Sequence, residues 1–252
     1  MPWNPDQYNK FQSERAAAFF DLLGLVKVRP DLEVVDLGCG TGELTRHLAD
    51  ILPGSQVLGL DRSSAMLASS SRYVRPGLRF EEGNISQLEG QYDLIFSNAA
   101  LQWLDNHTRL FPYLWSHLRL GGQLAVQMPA NHDHPSHLLA LELAQAQPFR
   151  EFFPQGGRES PVLLPETYAQ MFFDLGGSEI TAMLKIYPHV LADADAILEW
   201  VKGTLLTYYQ EHLPAELQAL FLEQYRRRLN EIFPQKPVFY GFKRVLLSVA
   251  RR

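Results

Sequence analysis

The sequence predicts an α/β fold: a doubly wound, mostly parallel sheet of seven strands with helices on both faces and a small helical cap. Short apolar, β-branched runs alternate with helical runs through the first half of the chain, the pattern of successive βαβ units. The first strand runs straight into three closely spaced glycines, Gly38, Gly40 and Gly42, at the turn where such a sheet opens its ligand crevice. The runs 92–98 (YDLIFSN) and 123–129 (QLAVQMP) are apolar almost throughout, as strands covered on both faces require.

Each element follows from its local pattern. Residues 11–26 space their apolar positions at helical intervals. Residues 32–38 (LEVVDLG) form a short buried strand, and 43–52 a helix that Pro53-Gly54 ends. Strand 56–61 (QVLGLD) leads to a helix over 65–74, with Ser63 or Ser64 as its cap. Strands 78–83 and 92–98 follow, then a helix near 107–118 and a strand after Gly121-Gly122.

Beyond residue 130 the texture turns irregular. Residues 131–160, rich in Pro, Gly, His and Phe, form a loop or lid with one helix near 136–147. A helix at 165–177 and a long strand at 179–191 return to the sheet. Helical stretches 193–212 and 214–233 make an insertion before a final long strand, which is expected to pair with the preceding one at the sheet edge. The whole of 1–252 is thus expected to be one domain. Its core covers about 27–130, 161–191 and 236–252, with an N-terminal lid at 1–26 and a helical cap at 192–235.

Composition narrows the class. Hydrophobic residues are 46% of 252 and charged residues 20%, which excludes a disordered or collagen-like chain. Lys plus Arg number 23 against 28 acids, a net charge of -5, a poor balance for gripping nucleic acid. No apolar run approaches the roughly 18 residues that span a bilayer. The opening MPWNPDQYNKF lacks the pattern of a secretory signal. A single cysteine, Cys39, precludes an internal disulfide. The chain reads as a soluble cytoplasmic protein, with monomer and homodimer both open.

VVDLGCGTGEL is the first stretch with chemical content. A dinucleotide site calls for G-x-G-x-x-G, with a third glycine where this chain has Glu43. Asp36 and Glu43 would also face a pyrophosphate with the wrong charge. S-adenosylmethionine carries a sulfonium and an ammonium and no phosphate, so acids suit it. Asp61 closes the second strand and is placed to accept hydrogen bonds from both ribose hydroxyls. Cys39 reads as a small buried filler, with no histidine paired to it in sequence.

With this loop, Asp61 and the YDLIFSN strand, the first half of the chain resembles the class I S-adenosylmethionine-dependent methyltransferases, whose sheet is Rossmann-like. The stretches NAALQWLDNHTRLFPYLWSHLRLGGQLAVQMPANHDHPSH, WNPDQYNKFQSER, GRES at 157–160, EWVKGT at 199–204, LFLEQY at 220–225 and the terminal VARR are similar to the trans-aconitate 2-methyltransferase family. That resemblance implies methyl transfer to a carboxylate of a small polycarboxylic acid, leaving a monomethyl ester and S-adenosylhomocysteine. It implies cofactor roles for Asp36, Gly38, Cys39, Gly40, Asp61 and the neighbouring Arg62 and Met66. Asn84 and Ile85 fall beside the adenine, Asn98 and Ala99 beside the methionine portion, and Tyr8 and Arg15 in the lid.

No general base is expected, because a carboxylate is already ionised at pH 7; the protein's task is positioning. The acceptor side calls for cations and donors, for which Trp103, His107, His132, Arg158, Lys202, Tyr208 and Tyr209 are candidates. His132, His134 and His137 lack the further ligands of a zinc site, so no metal is expected. The run Arg226-Arg227-Arg228 reads as a solvated helix face. Many family members carry Leu-Arg-Pro after the W-V-x-x-T stretch, whereas this chain has Thr207 at that place. The missing guanidinium leaves two alternatives beside trans-aconitate: another acceptor, such as a carrier-bound malonyl carboxylate or an apolar metabolite, or a protein that binds the cofactor without transferring its methyl.

Overall fold

The computed structural model describes residues 12–252, with side chains from residue 16 onward. Its described elements are α1 (Gln12–Leu23), β1 (Glu33–Leu37), α2 (Glu43–Asp50), β2 (Gln56–Asp61), α3 (Ser64–Leu67), β3 (Leu78–Glu82), β4 (Tyr92–Asn98), α4 (His107–Ser116), β5 (Leu118–Pro129) and α5 (Pro135–Ala144). There follow α6 (Pro165–Asp174), β6 (Gly177–Leu191), α7 (Ala194–Lys202), α8 (Leu205–His212), α9 (Ala215–Ile232) and β7 (Val238–Arg251).

The chain divides into two compact units. The sheet unit comprises residues 17–129, 161–185 and 244–252; the helical unit includes 130–160 and 186–243. The seven strands lie in the order β3-β2-β1-β4-β5-β7-β6. Strands β1 to β5 pair in parallel, and β7 enters antiparallel to β5, from Gln123↔Ala250 to Pro129↔Arg244. The reversal from β1 outward to β4 makes the switch point, where sheets of this kind bind ligands beyond the carboxyl ends of the strands.

Burial explains the central strands. Val34, Leu94, Phe96 and Ala125 lie on neighbouring strands and are no more than 1% exposed. They pack with Phe19 and Leu22 of α1 and Leu48 of α2 in one cluster. The Phe19 and Phe96 rings meet edge to face, 5.7 Å apart, a geometry that adds to the gain from burial. In the helical unit α5, α7, α8 and α9 surround their own core, with Phe149, Trp200, Tyr209, Phe221, Tyr225 and Tyr240 at its centre. The loop expected at 131–160 and the insertion at 192–235 therefore share one core.

Three local expectations need correction. The helix expected over 65–74 is a single turn, α3, followed by a 3₁₀ turn at Ser70–Tyr73. The serines there bond backward, Ser70 Oγ to Leu67 O at 2.8 Å and Ser71 Oγ to Ala68 O at 3.1 Å, competition that weakens α-helix. The helix expected at 193–212 breaks at Gly203, where Thr204 leaves helical geometry; glycine is a poor helix interior residue. Strand β5 begins at Leu118 and passes through Gly121-Gly122, with an irregular register opposite Tyr92 and Leu94.

Candidate functional site

The glycine turn joins β1 to α2. Gly38, Gly40 and Gly42 all have positive φ, +80°, +57° and +77°, which favours glycine. At Gly38 and Gly42 protein atoms also fill the space a side chain would take. A Cβ on Gly38 would lie 2.2 Å from the Ala100 Cβ, and one on Gly42 2.7 Å from the Phe80 ring. The turn is thus shaped by its own neighbours.

Its backbone donors are spent inward. The amides of Gly38 and Cys39 both donate to Leu60 O, at 2.7 and 3.1 Å, and Gly42 N–H donates to Cys39 O at 3.1 Å. Gly40 N–H donates to Asp61 Oδ2 and Ser63 N–H to Asp61 Oδ1, both at 2.9 Å. A phosphate cradle needs such amides free, and these five are not. A carboxylate has about four acceptor sites, so Asp61 keeps one on each oxygen for a pair of hydroxyls.

Two acids, Asp36 and Asp61, flank the turn. Asp36 is buried and accepts from Thr45 Oγ1 at 2.6 Å. Burial, with the Asp61 charge adding to it, raises its carboxyl to about 7, against the lowering bond from Thr45. Cys39 is buried too, and the same burial and acids push its thiol up; a protonated thiol is a filler and not a nucleophile. Met66 lies against the loop, its Cε 3.0 Å from where a Gly40 Cβ would stand, and Arg62 is exposed beside it. Asn84 caps the 3₁₀ turn Ile85–Gln87, accepting from Ser86 N–H at 3.0 Å. That leaves its carbonyl one further acceptor site.

At the end of β4, Ala99 holds a φ of +55° and donates its N–H to Gln127 O at 2.9 Å. A left-handed alanine at a strand end is strain held by its surroundings. The buried Oδ1 of Asn98 has no partner among the described residues. Tyr8 lies outside the described residues, and of Arg15 only the backbone is described, within α1.

The residues expected on the acceptor side have separate fates. Trp103 ends the 3₁₀ turn Leu101–Trp103 and is 40% exposed. His107 is corrected to a core residue, 1% exposed. Its Nε2 bonds to Leu101 O at 3.0 Å and its Nδ1 to the Tyr168 hydroxyl, which accepts from Leu163 N–H at 3.1 Å. Burial lowers its basicity, fitting a neutral ring held in one tautomer.

His132, Arg158, Lys202 and Tyr208 belong to the helical unit. His132 Nδ1 is buried without a partner among the described residues. Arg158 is half-buried near the buried Tyr209. Lys202 pairs with Glu199 one turn back. The Tyr208 ring packs against His212 at 4.2 Å and Phe153 at 6.1 Å. Thr207 Oγ1 donates to Thr204 O at 2.6 Å. His134 caps α5 and stacks on Phe233, its burial lowering it to about 4. Among the described residues no three His, Cys, Asp or Glu side chains could hold a metal. Arg226 pairs with Asp195 and Arg228 with Glu142 on the exposed face of α9.

Two polar residues beside Asn98 escaped the sequence reading. Gln127 of β5 pairs in register with Asn98 of β4. On β7, Arg244 donates through Nη1 to Gln127 Oε1 at 3.3 Å. Gln127 is 0% and Arg244 3% exposed, and Gln127 Nε2 has no partner among the described residues. A glutamine inside an apolar strand and an arginine inside VFYGFKRVLLSVARR were the available signals.

Comparison with known proteins adds a lineage. A model of the methyltransferase domain matches residues 34–122. The chain is 49% identical to a trans-aconitate 2-methyltransferase of Deinococcus radiodurans, over 100% of this chain and 99% of that one. It is 37% identical to the protein of that name from Escherichia coli O139:H28, over 99% and 98%. Among solved structures it is similar to the YcgJ protein of Bacillus subtilis, with a TM-score of 0.60 at 14% identity over 94% and 99% of the two chains. A methyltransferase from Geobacter sulfurreducens, solved with S-adenosyl-L-homocysteine, gives 0.57 at 17% over the whole of both chains.

Proposed function

The chain belongs to the trans-aconitate 2-methyltransferase family, and from that premise we propose that it transfers a methyl group from S-adenosylmethionine to a carboxylate of trans-aconitate, acting in the cytoplasm. The glycine turn carries the cofactor half of this reading. Its amides are committed inside the protein and its flanking groups are acids, which suits a cationic ligand without phosphate.

In this reading Gly38, Cys39 and Gly40 form the floor under the cofactor, with Arg62 and Met66 at its rim. Asp61 takes the two ribose hydroxyls, and Asn84 and Ile85 flank the adenine. The unpartnered Asn98 carbonyl accepts from the ammonium of the methionine portion, Ala99 lies beside it, and Asp36 offsets positive charge from below. When bound, S-adenosylmethionine supplies an electrophilic methyl on a sulfonium leaving group.

The chain's own residues then have three tasks. They hold the acceptor oxygen at near-attack distance in line with the methyl–sulfur bond. They exclude the water that would solvate an anionic nucleophile. They also offset the acceptor's remaining charge. No proton moves before transfer, since the attacking carboxylate is ionised at neutral pH. Among the described residues no helix is long and apolar enough to cross a membrane, in keeping with a small diffusible acceptor.

The deciding experiment is transfer of labelled methyl from S-adenosylmethionine to trans-aconitate, followed by mild base. A base-labile product identifies an ester. A base-stable product, or no transfer to any small polycarboxylate, overturns this function.

A further inference from the structure

Position 207 offers no donor for a carboxylate: threonine stands there, its hydroxyl committed to Thr204 O. A polycarboxylic acceptor nonetheless keeps at least one carboxylate that does not react and needs a counter-charge. The sheet unit holds a place for it. Asn98, Gln127 and Arg244 form a row across three neighbouring strands, β4, β5 and β7, at the carboxyl ends of β4 and β5. Register puts them on one face. Asn98 stands opposite Gln127, Gln127 opposite Leu246, and Pro129 opposite Arg244, and positions two apart on a strand share a face.

Gln127 and Arg244 are buried, and the amide orientation of Gln127 is determined. Gln127 Oε1 accepts from Arg244 Nη1 at 3.3 Å; a flipped amide would set two donors against each other. Gln127 Nε2 is therefore the donor left over, on a side chain with no exposure and no described partner for it. Burying an N–H without an acceptor is unfavourable, a cost that a ligand oxygen removes. The neighbouring guanidinium adds a permanent charge in a shape that matches a carboxylate. At about 4.8 Å between strands, β7 lies roughly 10 Å beyond β4. That is too far from the glycine turn for the ribose and about right for the far end of an acceptor whose near carboxylate reacts above β4.

We propose that Gln127 Nε2 and the Arg244 guanidinium bind the non-reacting carboxylate of the acceptor, making them the specificity determinants for a polycarboxylic acid. This rests on the methyl-transfer reading above and adds the subsite that reading lacks. A carboxylate also ends the methionine portion of the cofactor, so the test must separate the two sources.

Calorimetric titration does so without turnover. Trans-aconitate, tricarballylate and succinate are titrated into the full-length protein saturated with S-adenosylhomocysteine. Gln127→Met and Arg244→Met keep the volume and remove the donors, and Arg244→Lys keeps the charge. Each variant is used only if its thermal unfolding remains cooperative. The expected result is at least tenfold weaker trans-aconitate binding in both Met variants and partial recovery in Arg244→Lys, with the S-adenosylhomocysteine Kd within twofold of the parent. If that Kd weakens while trans-aconitate binding at saturation does not, the carboxylate is the cofactor's and the proposal is overturned. Unchanged binding of both ligands in Gln127→Met, the milder replacement, overturns it equally, as does a parent protein that binds none of the three acids. A parent that binds them and transfers no methyl overturns the reaction and leaves the subsite standing.

Discussion

The glycine turn and the ends of β4 and β5 treat their polar groups in opposite ways. At the glycine turn the amides of Gly38, Cys39, Gly40 and Gly42 and both oxygens of Asp61 have partners inside the protein. At the ends of β4 and β5 the Asn98 carbonyl and the Gln127 amide nitrogen are buried with none among the described residues. The difference teaches that the glycine turn is finished before a ligand arrives, whereas the strand ends are left for a ligand to complete. A finished end should answer substitution through stability, and an unfinished end through binding.

The largest expected effect is therefore at Gly38. Gly38→Ala adds a Cβ that would lie 2.2 Å from that of Ala100, at a φ of +80°. Left-handed strain and overpacking together cost about 4 kcal/mol. The melting temperature should fall by about 10 °C in the absence of any ligand. A variant with the parent's melting temperature and a weakened cofactor Kd would break the comparison, because the glycine would then be serving the ligand directly.

Why the first end was legible in the sequence and the second was not follows from how each is encoded. Gly38, Gly40, Gly42 and Asp61 lie within 24 residues of one another in a strand–turn–helix–strand order that permits one arrangement. Their spacing alone carries the geometry. Gln127 and Arg244 are separated by 117 positions and meet only through the antiparallel pairing of β5 with β7. Nothing local announces that pairing, and in sequence each is one polar residue inside an apolar strand. His107 shows the converse. Its position after β4 suggested the acceptor side, while its neighbours Phe111 and Tyr168 bury it, and Tyr168 is 61 positions away. Likewise the interruption at Gly203 depended on a single weak helix former within two long apolar helical patterns.

The next effect in size belongs to Asp36, raised to about 7 chiefly by burial. Its folded value lies above the unfolded one near 3.8, so between those pH values the folded state binds more protons. Stability then falls as pH rises through that window and levels off above about 7. Asp36→Asn cannot titrate and should lose this slope, gaining on the order of 3 kcal/mol on the parent between pH 4.5 and 8. Urea melts at both pH values measure it. Parallel stability curves for the two proteins would show that Asp36 is ionised throughout, and the finished end would then depend on a charge pair and not on burial.

Asn98→Ala makes the smallest and sharpest test, because it removes a group from the unfinished end. Deleting a satisfied buried amide ordinarily costs about 1 kcal/mol. The Asn98 carbonyl has no described partner to lose, so the melting temperature should stay within about 2 °C of the parent, a change of roughly 0.5 kcal/mol or less. The S-adenosylmethionine Kd should weaken about fivefold, near 1 kcal/mol for one lost hydrogen bond. The ammonium is the group this carbonyl is proposed to meet, so S-adenosylhomocysteine, which keeps it, should weaken by the same factor. 5′-Methylthioadenosine, which lacks the whole amino-acid portion, should bind both proteins equally. A fall of many degrees with both Kd values unchanged would make Asn98 part of the framework and erase the distinction between the two ends.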